Sequence, residues 1–258
     1  MTVESIGAAA FQTFWLVILL KGAYLFYSFS WRILANRNSN NNKGEKYMKV
    51  IAFNGSPNKE GNTYHAIKIV ANELEKVGIE MEIIHVGNKS IRGCIACNQC
   101  VKNKNEKCVL PGHEVNEWIQ KMKEADGIII GSPVHYSAMG ATMKSFLDRA
   151  FYVTSVNDGM LRHKVGASVV AVRRAGGVPT FNQLNNYLNY SEMLMPTSNY
   201  WNVIYGTKPG DALQDEEGVQ IMRVLGANMA WLMKLVENGR AKVTEPEREN
   251  KLFMNFIR

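Results

Sequence analysis

Cysteine is scarce in this chain and confined to one place. The 258 residues hold four, all between positions 94 and 108, so none is left elsewhere to staple a secreted fold. Clustering of this kind reads as a metal, cluster or redox site in a reducing compartment, which points to the cytoplasm. Two nucleotide signatures are missing from the Gly-rich stretch near residue 55. It has no Gly-Lys-Ser/Thr ending and does not read G-x-G-x-x-G, which sets aside the usual triphosphate and dinucleotide loops. There is no basic stripe with interleaved aromatics, which disfavours a nucleic acid partner. No nucleophile–base pair stands out, and no internal repeat is visible. The apolar run near the start lacks a positive n-region and a small-x-small cleavage site, which argues against a cleaved signal peptide.

What is present fits one large domain with an appendage. Apolar residues make up 46% and the net charge is +7. The charge is uneven. Residues 1–50 carry Lys21, Arg32, Arg37, Lys43, Lys46 and Lys49 against Glu4 and Glu45, beside an apolar segment, which suggests membrane or acidic-partner contact. Residues 11–34 hold the 18-residue run Phe14–Trp31 with one charge, Lys21, at the lower edge of a membrane-spanning length. Three readings stay open there: a span or interfacial anchor, a helix packed on another subunit or over the ligand site, and a start-site artefact. Localisation is accordingly expected to be cytoplasmic with membrane association through this helix. Residues 36–47 are a polar linker. The expected organisation is an extension at 1–47, a main domain at 48–240 and a tail at 241–258.

From residue 48 strands and helices alternate. Strands are expected at Lys49–Phe53, Glu80–Val86, Gly127–Gly131, Val165–Val172 and within Met193–Val203. Helices are expected at Thr63–Lys76, Glu114–Ala125, Met139–Tyr152, Thr180–Tyr190 and Glu216–Glu237. Near-continuous apolar strands separated by helices mean a parallel sheet covered on both faces. The expected fold is α/β: a doubly wound five-stranded sheet in the order 2-1-3-4-5, of flavodoxin-like type, with an N-terminal apolar helix. Ligands bind beyond the carboxyl ends of such strands.

Three loops meet at that edge. The first, Asn54–Thr63, runs from strand to helix and can aim backbone N–H groups at a phosphate, with Ser56, Asn58, Asn62 and Thr63 as added donors. The plainer reading is a helix-capping turn. The second, Gly131–Gly140, offers Pro133, Val134, His135, Tyr136 and Met139, a surface suited to a flat heteroaromatic ring. Val134 and Met139 are equally readable as core, and His135 as a hydrogen-bonding residue only. The third carries Arg173, Arg174, Gly176 and Gly177, two cations and two close-approach glycines for an anionic ligand. Phosphate at one end and a planar ring at the other is the shape of flavin mononucleotide, FMN.

Cys94, Cys97, Cys100 and Cys108 have the spacing C-x2-C-x2-C-x7-C. Four thiolates suit tetrahedral zinc or an iron–sulfur cubane, and free or redox-active thiols are the third reading.

The chain resembles the NAD(P)H-dependent FMN reductase and iron–sulfur flavoprotein family. The resemblance rests on Gly55-Ser56-Pro57 through Gly61-Asn62-Thr63, Gly93-Cys94 through Cys100, Ala125 through Val134, Met143 through Arg149, and Gly176-Gly177. It covers about residues 48–238. It implies FMN at a dimer interface, in a homodimer or a dimer of dimers, with the phosphate on the first loop and the ring against the others. It implies NAD(P)H as the donor, hydride passing to flavin, and a quinone, nitro or azo compound, flavin or protein as acceptor. Iron–sulfur flavoproteins hold a [4Fe-4S] cluster on such a four-cysteine run. Here the last cysteine is followed by Val-Leu-Pro-Gly-His-Glu, without the early acidic residues frequent in the family. Two other functions stay in view: an electron carrier serving ferredoxin or a membrane partner, and an FMN-binding scaffold or sensor. Lys144, Asp148 and Arg149 read as helix-surface or subunit-contact residues.

Overall fold

Three apolar runs make the centre of the sheet. In a computed structural model describing residues 47–254 and residue 256, β1 (Lys49–Asn54), β3 (Gly127–His135) and β5 (Val165–Val172) lie side by side and parallel. Every residue of β5 is buried, as expected for a strand covered on both faces. β2 (Glu80–His85) forms one edge, only partly buried, and β6 (Val203–Tyr205) the other. The order β2-β1-β3-β5-β6 matches the expected doubly wound arrangement. A two-residue strand, β4 (Ala138–Met139), folds back antiparallel on the end of β3.

The helices are sorted by their apolar stripes. Helix α1 (Asn62–Glu75) buries Ala66, Ile67, Val70, Ala71 and Leu74, and Gly78 at φ +81° follows its end. The short α2 (Gln99–Asn103) lies in the cysteine segment, followed by α3 (His113–Glu124), α4 (Ala141–Val156) and α5 (Gly177–Tyr190). The long α6 (Glu216–Arg240) starts at Asp215, whose carboxylate accepts from Gly218 N at 3.0 Å, with Glu216 and Glu217 in its first turn, where the helix dipole favours acids. One core half joins α1 and α6 to the sheet, and the other joins α3, α4 and α5. In the second half the rings of Phe53 and Phe146 sit 4.7 Å apart, with Trp118 edge-on to Phe146 at 5.2 Å. Burying rings of this size contributes about 2–3 kcal/mol each.

Two elements differ from expectation. The last strand is three residues long and sits at Val203–Tyr205, starting where the expected window 193–203 ends. Between them Leu194 makes a single bridge to Val165, and Pro196 has no N–H to extend it. β3 runs on to His135, so the second loop is a tight hairpin. The tail from 241 has no regular element. It lies along its own chain, where Pro246 O accepts from Arg162 at 3.0 Å and Lys251 Nζ stands 4.2 Å over the Tyr190 ring.

The expectation of membrane association is corrected. Among the described residues no helix is long and apolar enough to cross a membrane. Residues 11–34, on which that expectation rested, and the N-terminal helix itself lie outside the described residues.

Candidate functional site

Helix α1 opens without a capping side chain. Its N-cap is Gly61, in extended backbone, and its first turn carries no acid. The first N–H groups of a helix have no partner within it, and the dipole favours an anion there. The loop before it is pinned from within. Asn54 accepts from Ser56 N at 3.0 Å and donates to Lys59 O at 2.9 Å, while Ser56 Oγ accepts from Asn58 N at 3.2 Å. From β2, His85 Nε2 lies 2.7 Å from Ser56 O. Gly55 N donates to Gly131 O at 2.8 Å. A Cβ on Gly55 would fall 2.9 Å from that same oxygen and from Met143, so only glycine admits this approach.

This loop faces a cavity of about 190 Å³. Ser56, Asn58, Asn62 and Thr63 line it together with Pro133, Val134, His135 and Arg173. Three strand ends thus meet as expected, and the set suits FMN: uncapped backbone donors, hydroxyls, one arginine and an apolar wall. A fourth loop joins them through Gly206, Thr207 and Pro209. Its signal in the sequence was the turn-rich run Gly206-Thr207-Lys208-Pro209-Gly210 after a strand, obscured because that strand is so short.

The remaining expected residues are placed differently. Asn62 spends its carboxamide oxygen on the protein, accepting from Gly210 N at 3.0 Å and Ala212 N at 3.2 Å. It ties the fourth loop to α1 and leaves only its amide nitrogen for a ligand. Met139 is 6% exposed and belongs to the core. Its N–H donates to Gln183 Oε1 at 3.2 Å. Tyr136 stands fully exposed at the hairpin tip with φ +49°, a conformation few aromatic residues adopt. Arg174, Gly176 and Gly177 line a neighbouring cavity of about 370 Å³ walled by Tyr200, Trp201 and Tyr205. Gly176, at φ +89°, closes the gap between loops: a Cβ there would lie 2.9 Å from Ser137 Cα and Val134.

The cysteines form a second centre. Cys94 and Cys97 are exposed, Cys108 is half-buried and Cys100 is buried, and all four are free. They line one concavity, closed on the helix side by Arg149, Tyr152 and Val153 of α4. Burial pushes the Cys100 thiol up, and Cys108 and Cys94 push the same way. The backbone around them is unusual: Ala96, Asn98, Lys104 and Glu106 all have positive φ. Among the described residues no three His, Cys, Asp or Glu side chains are drawn tightly enough to hold a single metal ion. Around one zinc, bonds of about 2.3 Å would bring the sulfurs closely together. A cubane binds its thiolates on separate irons and accepts a wider spread, so the four thiols facing one concavity fit it better.

Cys108 is fixed on two sides. Asn116 of α3 accepts from its N–H at 2.8 Å and donates to its carbonyl at 3.0 Å. Arg149 donates from Nε to its sulfur at 3.3 Å. Arg149 is 1% exposed, which corrects the reading of a surface residue. Lys144 and Asp148 do pair on the surface, at 2.9 Å, and both meet the Tyr187 hydroxyl. Burial, then the Asp148 hydrogen bond, pushes that phenol up to about 12.

Comparison with known proteins bears on the family and the fold. The family model described as NADPH-dependent FMN reductase matches residues 48–208. An iron-sulfur flavoprotein of Methanocaldococcus jannaschii is 37% identical over 198 residues, 74% of this chain and 100% of that relative. One from Methanosarcina thermophila is 26% identical over 197 residues, 76% of this chain and 100% of the relative. Among solved structures, that of RosB with bound 8-demethyl-8-formylriboflavin-5'-phosphate superposes with a TM-score of 0.57 at 16% identity, covering 81% of this chain and 93% of that one. This last likeness shows the fold. The chain belongs to the NADPH-dependent FMN reductase family, and its flavodoxin-like domain is an FMN-binding, NAD(P)H-using oxidoreductase.

Proposed function

We propose that the domain, residues 48–240, holds FMN with its phosphate at the start of α1 and passes electrons from NAD(P)H to an acceptor by way of the cysteine centre. The observation that carries the flavin placement is the uncapped N-terminus of α1 opening onto the cavity shared by four loops. Ser56 and Thr63 supply hydroxyls there, and Asn58 and Asn62 supply amide donors. Pro133, Val134 and His135 flank the chain and ring, and Arg173 neutralises the anion. Bound FMN supplies the hydride acceptor and the one-electron chemistry. The protein orients it, keeps water from one face and stabilises negative charge with fixed donors. Arg174, Gly176 and Gly177 lie beside the aromatic wall of Tyr200, Trp201 and Tyr205, a surface for a second planar ring, nicotinamide or acceptor. Tyr136, Tyr200 and Trp201, all exposed on this side, give a second copy a place to close the site, as a homodimer.

Cys94, Cys97, Cys100 and Cys108 are proposed as the ligands of a [4Fe-4S] cluster, which supplies a one-electron carrier. Two observations support this over free thiols: the four share one concavity, and the relatives that match along their full length are named iron-sulfur flavoproteins. This makes the protein an electron-transferring flavoprotein with a protein or small-molecule acceptor. Anaerobic stopped-flow mixing with NADPH or NADH tests the donor half. Bound flavin should bleach with at least one of them, and no bleaching with either contradicts the reductase reading.

A further inference from the structure

Arg149 is among the largest fully buried side chains of the described residues. Guanidinium does not lose its proton in proteins, so a full positive charge sits inside the fold. A buried charge is ordinarily paired. Among the described residues no carboxylate pairs with this one. Asp148, its neighbour in sequence, is turned to Lys144 and Tyr187. Arg149 instead donates to three carbonyls of the cysteine segment: Arg92 O at 3.4 Å, Pro111 O at 3.3 Å and Leu110 O at 2.9 Å. Its Nε donates to Cys108 Sγ at 3.3 Å. Among the described residues that sulfur is the only partner of Arg149 able to carry a full negative charge.

We propose that Arg149 is the resident counter-cation of the cysteine centre: a positioning residue that clamps residues 92–111 around it and raises the reduction potential of the cluster bound there. The inference rests on the cluster reading above. A cluster on four thiolates is anionic, and reduction by one electron makes it more so. A fixed cation hydrogen-bonded to a ligand sulfur therefore stabilises the reduced form more than the oxidised one, since potentials follow net charge and hydrogen bonds to sulfur. Carbonyl bonds alone could be met by a neutral amide. The charge is what the anionic centre requires, and the rigid fork is what lets one side chain reach a sulfur and three carbonyls together.

The test uses the whole chain, purified anaerobically, as wild type, Arg149→Lys and Arg149→Met. Iron and sulfide are counted, and the cluster and flavin midpoints are titrated in the same sample. Arg149→Met should shift the cluster equilibrium towards the oxidised form by about tenfold, about 59 mV for one electron. Arg149→Lys, which keeps the charge and loses the fork, should shift it less, and the flavin midpoint should stay put in both. A cluster midpoint unchanged in Arg149→Met, with iron retained, overturns the proposal and reduces Arg149 to a structural staple. If Arg149→Met fails to fold or hold iron, Arg149→Gln, which keeps amide donors for the carbonyls and loses the charge, decides in its place: a wild-type midpoint there overturns the proposal too. Wild-type protein without iron removes the cluster reading itself, and the proposal with it, which an unchanged midpoint does not.

Discussion

The two centres of this molecule are built in opposite ways. The loop at Asn54–Thr63 is held by backbone and short side chains, with Gly55 touching β3 and His85 bracing Ser56 from β2. The cysteine segment, by contrast, takes four positive-φ turns at residues other than glycine and contains one helix of five residues. It is tied down from outside, by Asn116, Arg149 and the Tyr152 hydroxyl, which donates to Asn98 at 2.7 Å. The first centre is preorganised by the fold. The second borrows its rigidity from helix side chains.

That contrast can be broken from either side. The largest effect is expected from Cys100→Ser. It should abolish iron binding yet leave FMN stoichiometry intact, as read by metal analysis and the flavin spectrum. If flavin leaves with the iron, the centres are not separate. Next comes Gly55→Ala. A methyl group pressed against Gly131 O and Met143 should destabilise the domain by about 1–3 kcal/mol and weaken FMN binding, measured by urea unfolding and flavin titration, with iron content unchanged. Asn62→Ala is a milder version. It strips the acceptor from Gly210 and Ala212 N–H, worth roughly 1–3 kcal/mol if they stay buried, and should loosen FMN about tenfold through the fourth loop.

The smallest effect is a pH dependence away from both centres. Tyr187 holds its proton up to about 12 in the folded protein, against 10.0 for the free phenol. A raised value in the folded state gives stability that is full below pH 10 and lost as pH climbs towards 12. Tyr187→Phe should therefore remove part of the alkaline fall in stability between those values, seen in denaturant midpoints. An unchanged alkaline limb would mean that burial and Asp148 together do not hold the proton on this hydroxyl.

Much of the fold that frames the candidate flavin site was legible because its signals are local and repeated. The runs at Val50–Phe53, Ile128–Ile130 and Val165–Val172 are short, apolar and followed by Gly-bearing loops, the pattern of buried parallel strands. Topology then brings those loops together. The parts that escaped are those where meaning depends on three dimensions. Three residues of β6 and two of β4 are too few for any period to show. Asn62 reads only as a ligand donor in the sequence; that its carboxamide oxygen also ties down Gly210 and Ala212, nearly 150 positions away, shows only in three dimensions. Arg149 was misread because Lys144 and Asp148 form an i,i+4 surface pair, and Arg149 follows directly. Adjacent residues on a helix point about 100° apart, enough to put one in solvent and the next against a buried sulfur. The N-terminal reading has a simpler weakness: it rested on hydropathy over residues 11–34 and on the basic residues beside them.

The most direct test of the two-centre account is the metal and flavin content of the whole chain purified without oxygen, with its absorption spectrum. The account predicts FMN together with about four irons and four sulfides per chain, the content of one cubane, and broad absorption beneath the flavin bands. FMN bound normally, no iron or sulfide, and four titratable thiols would contradict it.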